Sequence, residues 1–249
     1  MAKAALSRVA FAVRAITLVV GLAAWEAVAR SGLLYRDVVP PLEKVAVACA
    51  QLIMSADTYR HLGVTAWEVA AGFAVGLAAG LAFGVLMGAR RFFGEAIVPY
   101  VEALAAAPKI VFLPVVMLAL GVGIESKIAL GALSAFFPVV LNTAAGMREI
   151  RPVLIQVGRS FGLSAWQMAR RIYLPALARS VVISMRLGLG LAVVGVVLAE
   201  IKLANSGLGF LAIEHYSHFR IPQMYAVLLC IFVLAAVANG LIGRLLPKH

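Results

Sequence analysis

Charge is what this chain has least of. Only 13% of its 249 residues are Asp, Glu, Lys or Arg, about half the share usual in a soluble domain. Acidic groups are the scarcer sign, 11 against 22 basic ones. With 63% hydrophobic residues and a mean hydropathy of +1.01, no single soluble core could bury the apolar surface and leave a polar exterior. That excludes a soluble fold and leaves an integral membrane protein. Cysteine is scarce as well. Cys49 and Cys230 stand far apart in apolar sequence, which excludes a disulfide framework and a CxxC site. His215 and His218, three apart, are a weak metal signal, so no metal is expected. No lysine follows a glycine, so the phosphate-cradling GxxxxGK[ST] loop does not occur. Neither an HExxH zinc site nor a GxSxG nucleophile elbow is expected. The chain is expected to catalyse nothing and to hold no cofactor. If it moves something uphill with ATP, a separate polypeptide must bind the ATP-Mg.

What is present is long apolar sequence. Ala70 to Ala89, Ile128 to Met147 and Ile221 to Gly243 contain no charge, and each is long enough to cross a hydrocarbon core as a helix. Three further spans carry charges or prolines. Together they predict an all-α polytopic fold, one membrane domain over 1–249, with spans near 10–29, 66–89, 96–120, 126–147, 177–199 and 221–243. A cytoplasmic loop, 148–176, separates the fourth from the fifth. The first span has a rival reading as a signal peptide cleaved after Ala27 to Ala29.

The net charge of +11 does not point to nucleic acid, because lysines and arginines interrupt apolar spans rather than lining one polar face. They sort by side instead. With six spans, Lys3, Arg8, Arg14, Arg90, Arg91, Arg148, Arg151, Arg159, Arg170, Arg171, Arg179, Arg244 and Lys248 fall on one side. Arg30, Arg36, Lys44, Arg60, Lys127, Lys202 and Arg220 fall on the other. The richer side is cytoplasmic by the positive-inside rule, which places both termini there. Between Tyr35 and Leu62, after Pro40 and Pro41, Val45 to Met54 reads as a short helix on the membrane surface.

Gly72, Gly76, Gly80, Gly84 and Gly88 recur every fourth residue, a small-residue stripe on which another helix backbone can close. The third span is of another kind. Pro108 and Pro114 each remove a backbone donor, and Lys109 costs about 2.5–3.5 kcal/mol at mid-membrane. Such features are tolerated where they face protein or a water-filled path. Glu102, Pro108, Lys109, Pro114, Asn142 and Arg186 are therefore the candidate path residues, with snorkelling to the interface the alternative for Lys109 and Arg186. Glu102 is taken as the one acidic group inside a span, which argues against the rival function, a secondary transporter driven by an ion gradient.

The polar stretch from Arg148 to Arg179 has the form helix, stop, helix. Ile150 to Phe161 reads as a first helix, Gly162 as its left-handed stop, and Ser164 as the N-cap of a second, Ala165 to Ile172. Pro175 is then expected to permit a turn before the fifth span. An amphipathic helix there suits docking of a soluble partner, or of anionic lipid headgroups.

This stretch resembles the cytoplasmic EAA loop of bacterial ABC-transporter permeases, whose pattern ends in glycine, nine residues and I-x-L-P. Here those positions are Gly162, Ile172, Leu174 and Pro175. The E-A-A positions depart, falling on Gln156, Val157 and Gly158. PKIVFLPVVMLALGVGIESKIAL from Pro108, FFPVVLNTAAGMREI from Phe136 and AEIKLANSGLGFL from Ala199 are similar to the nitrate/sulfonate/taurine branch. The resemblance covers the chain from about Trp25 onward. It implies two permease subunits, a homodimer in the simplest case, in the bacterial inner membrane, two ATPase subunits below and a periplasmic solute-binding protein above. It implies a small anion as cargo and ATPase docking by Gly158, Arg159, Ser160, Phe161, Gly162, Leu163, Ser164, Ala165, Trp166, Gln167, Arg170 and Arg171.

Overall fold

The computed structural model describes residues 2–32 and 38–244, with the side chains of 2–8 and of Leu203 left aside. Arg36 and Lys248, counted above, lie outside the described residues, as do the side chains of Lys3 and Arg8. Among the described residues the ordered elements are all helical. They are α1 (Ala2–Arg30), α2 (Leu42–Met54), α3 (Ala56–Ala89), α4 (Arg91–Ala106), a 3-10 turn (Lys109–Phe112), α5 (Leu113–Leu120) and α6 (Ile124–Arg148). After them come α7 (Pro152–Ser160), α8 (Ala165–Met168), α9 (Leu174–Leu203), α10 (Leu208–Ser217) and α11 (Ile221–Gly243). Five of the described helical stretches are long and apolar enough to cross a membrane, and a bent pair makes a sixth.

The chain divides into two compact units. One comprises Met1–Tyr59 and Leu211–Leu229. Here α1 presents Phe11, Ile16, Leu18 and Val19 outward, as a helix facing lipid or another subunit does. Its end is tied down by polar contacts. Trp25 Nε1 donates to Pro40 O at 2.9 Å, and the Leu42 N–H donates to Glu26 Oε2 at 2.9 Å. Tyr225 packs edge-on against Trp25, 5.1 Å between centroids. Pro41 stands at the N-cap of α2, its φ of −55° set by the ring and its ψ of 145° the extended backbone usual at an N-cap. Val45, Ala48 and Leu52 form the buried stripe of α2.

The other unit comprises Arg60–Phe210 and Cys230–His249. Its centre is α6, which buries Leu130, Ala135, Val139, Val140 and Thr143. The glycine stripe of α3 closes on it. A methyl group on Gly72 would lie 2.8 Å from Ile128 O, one on Gly80 2.7 Å from Val139 Cγ1, and one on Gly84 2.7 Å from Val140 O. On Gly76 it would strike Ala132 O, and on Gly88 Met147 Cβ. The whole stripe is thus a backbone-to-backbone seam.

Two local expectations need correction. The break in the third span comes at Pro108, where α4 and the following turn bend by 93°. Pro114 lies in the first turn of α5, where the missing N–H is an unpaired position anyway, so it interrupts nothing. Pro175 makes no turn. The chain from Ala165 to Lys202 is one helical run of 38 residues, carried past the proline by a π-helical turn at Ala169–Tyr173. A proline takes one N–H out of the ladder and crowds the carbonyl four residues back, and a wider turn relieves both.

Candidate functional site

Two places qualify, an exposed elbow and a half-open cavity. The elbow starts with α7, begun by Pro152 in its first turn. Its end is a Schellman motif. Leu163 N–H reaches Gly158 O at 3.1 Å, Gly162 N–H reaches Arg159 O at 2.9 Å, and Gly162 has φ 65°, a conformation that costs other residues about 1–2 kcal/mol. One residue on, Ser164 Oγ accepts from Gln167 N–H at 3.3 Å while Gln167 Oε1 accepts from Ser164 N–H at 2.9 Å. This capping box fixes the start of α8. Gly158 is buried beneath, where a side chain would strike Met168 Sδ and come within 2.5 Å of Ile172 Cδ1. Arg159, Ser160, Phe161, Gly162, Ser164, Ala165, Trp166, Gln167, Arg170 and Arg171 are exposed, and Leu163 is half-buried. Phe161 is 79% and Trp166 72% accessible, so two large aromatic rings flank a rigid glycine turn.

Gly158 to Gly162 also reads G-R-S-F-G, a match to GxSxG where none was expected. Ser160 ends a helix here, whereas a nucleophile elbow needs a strand-to-helix turn. The match carries no catalytic geometry.

The cavity, about 500 Å³, lies between the end of α4, α6 and α9. Pro108, Lys109 and Asn142 line it; Glu102, Pro114 and Arg186 do not. Lys109 sits at the α4 terminus that Pro108 cuts short, and Nζ donates to Leu104 O, Ala105 O and Ala107 O at 3.0, 2.7 and 2.6 Å. Its charge lies 5.0 Å from the Phe137 ring centroid. A cation on orphan carbonyls at a helix C-terminus is favourable, so Lys109 caps the broken helix. Ser134 Oγ donates to Leu130 O, and Asn142 Nδ2 to Pro138 O, each within α6. Arg186 Nε donates to Asn239 Oδ1 at 2.9 Å on α11 and is exposed. Glu102 and Pro114 are exposed too.

Sequence reading missed a buried polar cluster. Glu102 is not the one acidic residue within the helical spans: Glu68 in α3 and Glu200 in α9 are both wholly buried. Lys127 Nζ donates to Glu68 Oε1 at 3.0 Å. Thr65 Oγ1 donates to Glu200 Oε1 at 2.6 Å, and Gly209 N–H to Glu200 Oε2 at 2.7 Å. Leu208 N–H reaches Thr65 Oγ1 and Gly207 N–H reaches His61 Nδ1. Three successive N–H groups at the start of α10 are thus satisfied by buried side chains. Gly207 has φ 107°, and any side chain there would strike the Glu200 carboxylate. The advance signals were Glu68 itself, inside the span drawn at 66–89, and the pair of glycines beside Leu208 in SGLGF.

Comparison with known proteins bears on the family and the fold. Residues 76–248 match the family model described as binding-protein-dependent transport system inner membrane component. The chain is similar to the putative aliphatic sulfonates transport permease protein SsuC of Escherichia coli (strain K12), 31% identical, covering 90% of this chain and 82% of that one. It is similar to the taurine transport system permease protein TauC of the same organism, 29% identical over 94% and 88%. Among solved structures, a chain of the MetNI methionine ABC transporter aligns with a TM-score of 0.54 and 17% identity, covering 79% of this chain and 97% of that one. At that identity the likeness concerns the fold.

Proposed function

The chain belongs to the family of binding-protein-dependent transport-system inner-membrane components, and from that premise we propose how it works and what it carries. Subunits of this family are multi-pass permeases of ABC importers and not enzymes; ATPase subunits and a solute-binding protein are their partners. Membership sets aside the ion-gradient carrier, an argument that the count of acidic residues in spans no longer supports.

The elbow formed by α7 and α8 is the seat of the ATPase subunit, which holds the ATP-Mg. Closure of the nucleotide-loaded ATPase pair pushes on the elbow. Because α8 runs through the π turn into α9, the push enters a transmembrane helix without an intervening hinge loop. Two copies of the chain enclose the passage, and both termini face the cytoplasm, a reading that rests on the bias of positive charge. The pair is bistable, and the nucleotide biases it between inward and outward openings. Cargo is a small anion, sulfonate-like first; the names of the relatives above support that class.

One observation carries the docking assignment: exposed Phe161 and Trp166 held on a turn that is fixed from both sides. Exposed aromatics on a rigid support are typical anchors at protein interfaces. The test is co-expression with the partner ATPase. The unaltered chain is expected to co-purify with it, and Gly162→Asp or Arg170→Glu/Arg171→Glu to lose it. Retention of the ATPase by both variants contradicts the assignment.

A further inference from the structure

We infer that the cavity between the α4 terminus, α6 and α9 is a cargo subsite that takes the apolar body of an amphiphilic anion and rejects a bare inorganic anion. The inference rests on the importer reading and narrows its cargo. A desolvated anion needs hydrogen-bond donors, and burial without them is costly. The side-chain donors lining this cavity are largely committed. All three N–H groups of Lys109 go to carbonyls of Leu104, Ala105 and Ala107, and the Ser134 hydroxyl goes to Leu130 O. Asn142 gives one amide hydrogen to Pro138 O, which leaves its second N–H as the polar anchor for an anionic head group. The remaining wall is hydrocarbon, with Phe137, Leu141, Leu191, Val194 and Leu198 prominent. Its volume of about 500 Å³ falls in the range of small-molecule pockets. Leu191 and Val194 are 45% and 52% accessible, so altering them leaves no hole in the core.

The test uses the permease–ATPase complex in nanodiscs, without binding protein, titrated calorimetrically with nitrate, methanesulfonate, butanesulfonate and hexanesulfonate. Nitrate is expected to show no saturable binding, and sulfonate affinity to rise about fourfold per methylene. Leu191→Ser/Val194→Ser is expected to flatten that chain-length slope. Asn142→Leu is expected to weaken every sulfonate by about the same factor, on the order of tenfold, with the slope kept. Nitrate binding as tight as hexanesulfonate, a flat series in the unaltered complex, or a slope that survives Leu191→Ser/Val194→Ser overturns the subsite. A flat series in a complex that assembles and hydrolyses ATP leaves the importer reading standing. Failure of the chain to assemble with an ATPase removes the premise, and the inference with it.

Discussion

A lysine and a glutamate side by side in a dry interior are stable only together. Lys127 and Glu68 are 7% and 0% accessible at the side chain and 3.0 Å apart. Removing one partner strands a buried charge, at a cost of about 3–5 kcal/mol. Lys127→Met is therefore expected to lower the thermal unfolding temperature of the purified protein sharply, and Lys127→Met/Glu68→Gln to recover part of the loss. Equal loss in the single and double variants contradicts the pairing. In the sequence this pair was illegible. Lys127 counts there as one more basic residue flanking a span, and Glu68 stands just ahead of an uncharged run. What joins them is the packing of α3 on α6, which no local pattern encodes. Lys109 was half legible: its cost in a span was evident, but its role as a cap depends on a helix end that only the bend at Pro108 creates.

Among the elements, the seam of α3 was the most legible, because five glycines at a spacing of four make a stripe whatever they face. Its partner, α6, was not, since Ala and Val against glycine leave no comparable repeat. Gly76→Leu is expected to destabilise by about 1–3 kcal/mol or more, since it forces a side chain against the Ala132 backbone; a cysteine-accessibility scan of α6 and an unfolding curve measure it. The elbow was legible at the same level because caps are local chemistry: a glycine stop, then Ser-x-x-Gln. Ser164→Ala is expected to cost about 1 kcal/mol, and Gly162→Ala about 1–2 kcal/mol, read as lower melting temperatures. Continuity of α8 with α9 was not legible, because a proline usually ends a helix and nothing in RRIYLP announces a π turn.

At the scale of the whole molecule, hydropathy alone yielded the spans, since a bilayer leaves a chain few options besides apolar helices. The cavity escaped it, being a product of three elements whose separate faces look like ordinary core. In the proposed function the scales are joined by a force path: an elbow with two exposed aromatics, a helix of 38 residues that starts inside it, and a cavity that the helix lines. ATP-driven uptake measures that path most directly. Proteoliposomes would hold this chain, its ATPase partner and the cognate binding protein, with Phe161→Ala/Trp166→Ala compared to the unaltered chain. Expected is loss of most uptake and of ATPase association in the variant, with the hydrolysis rate of the isolated ATPase unchanged. Uptake at the full rate by the variant, or by this chain without any ATPase, would contradict it.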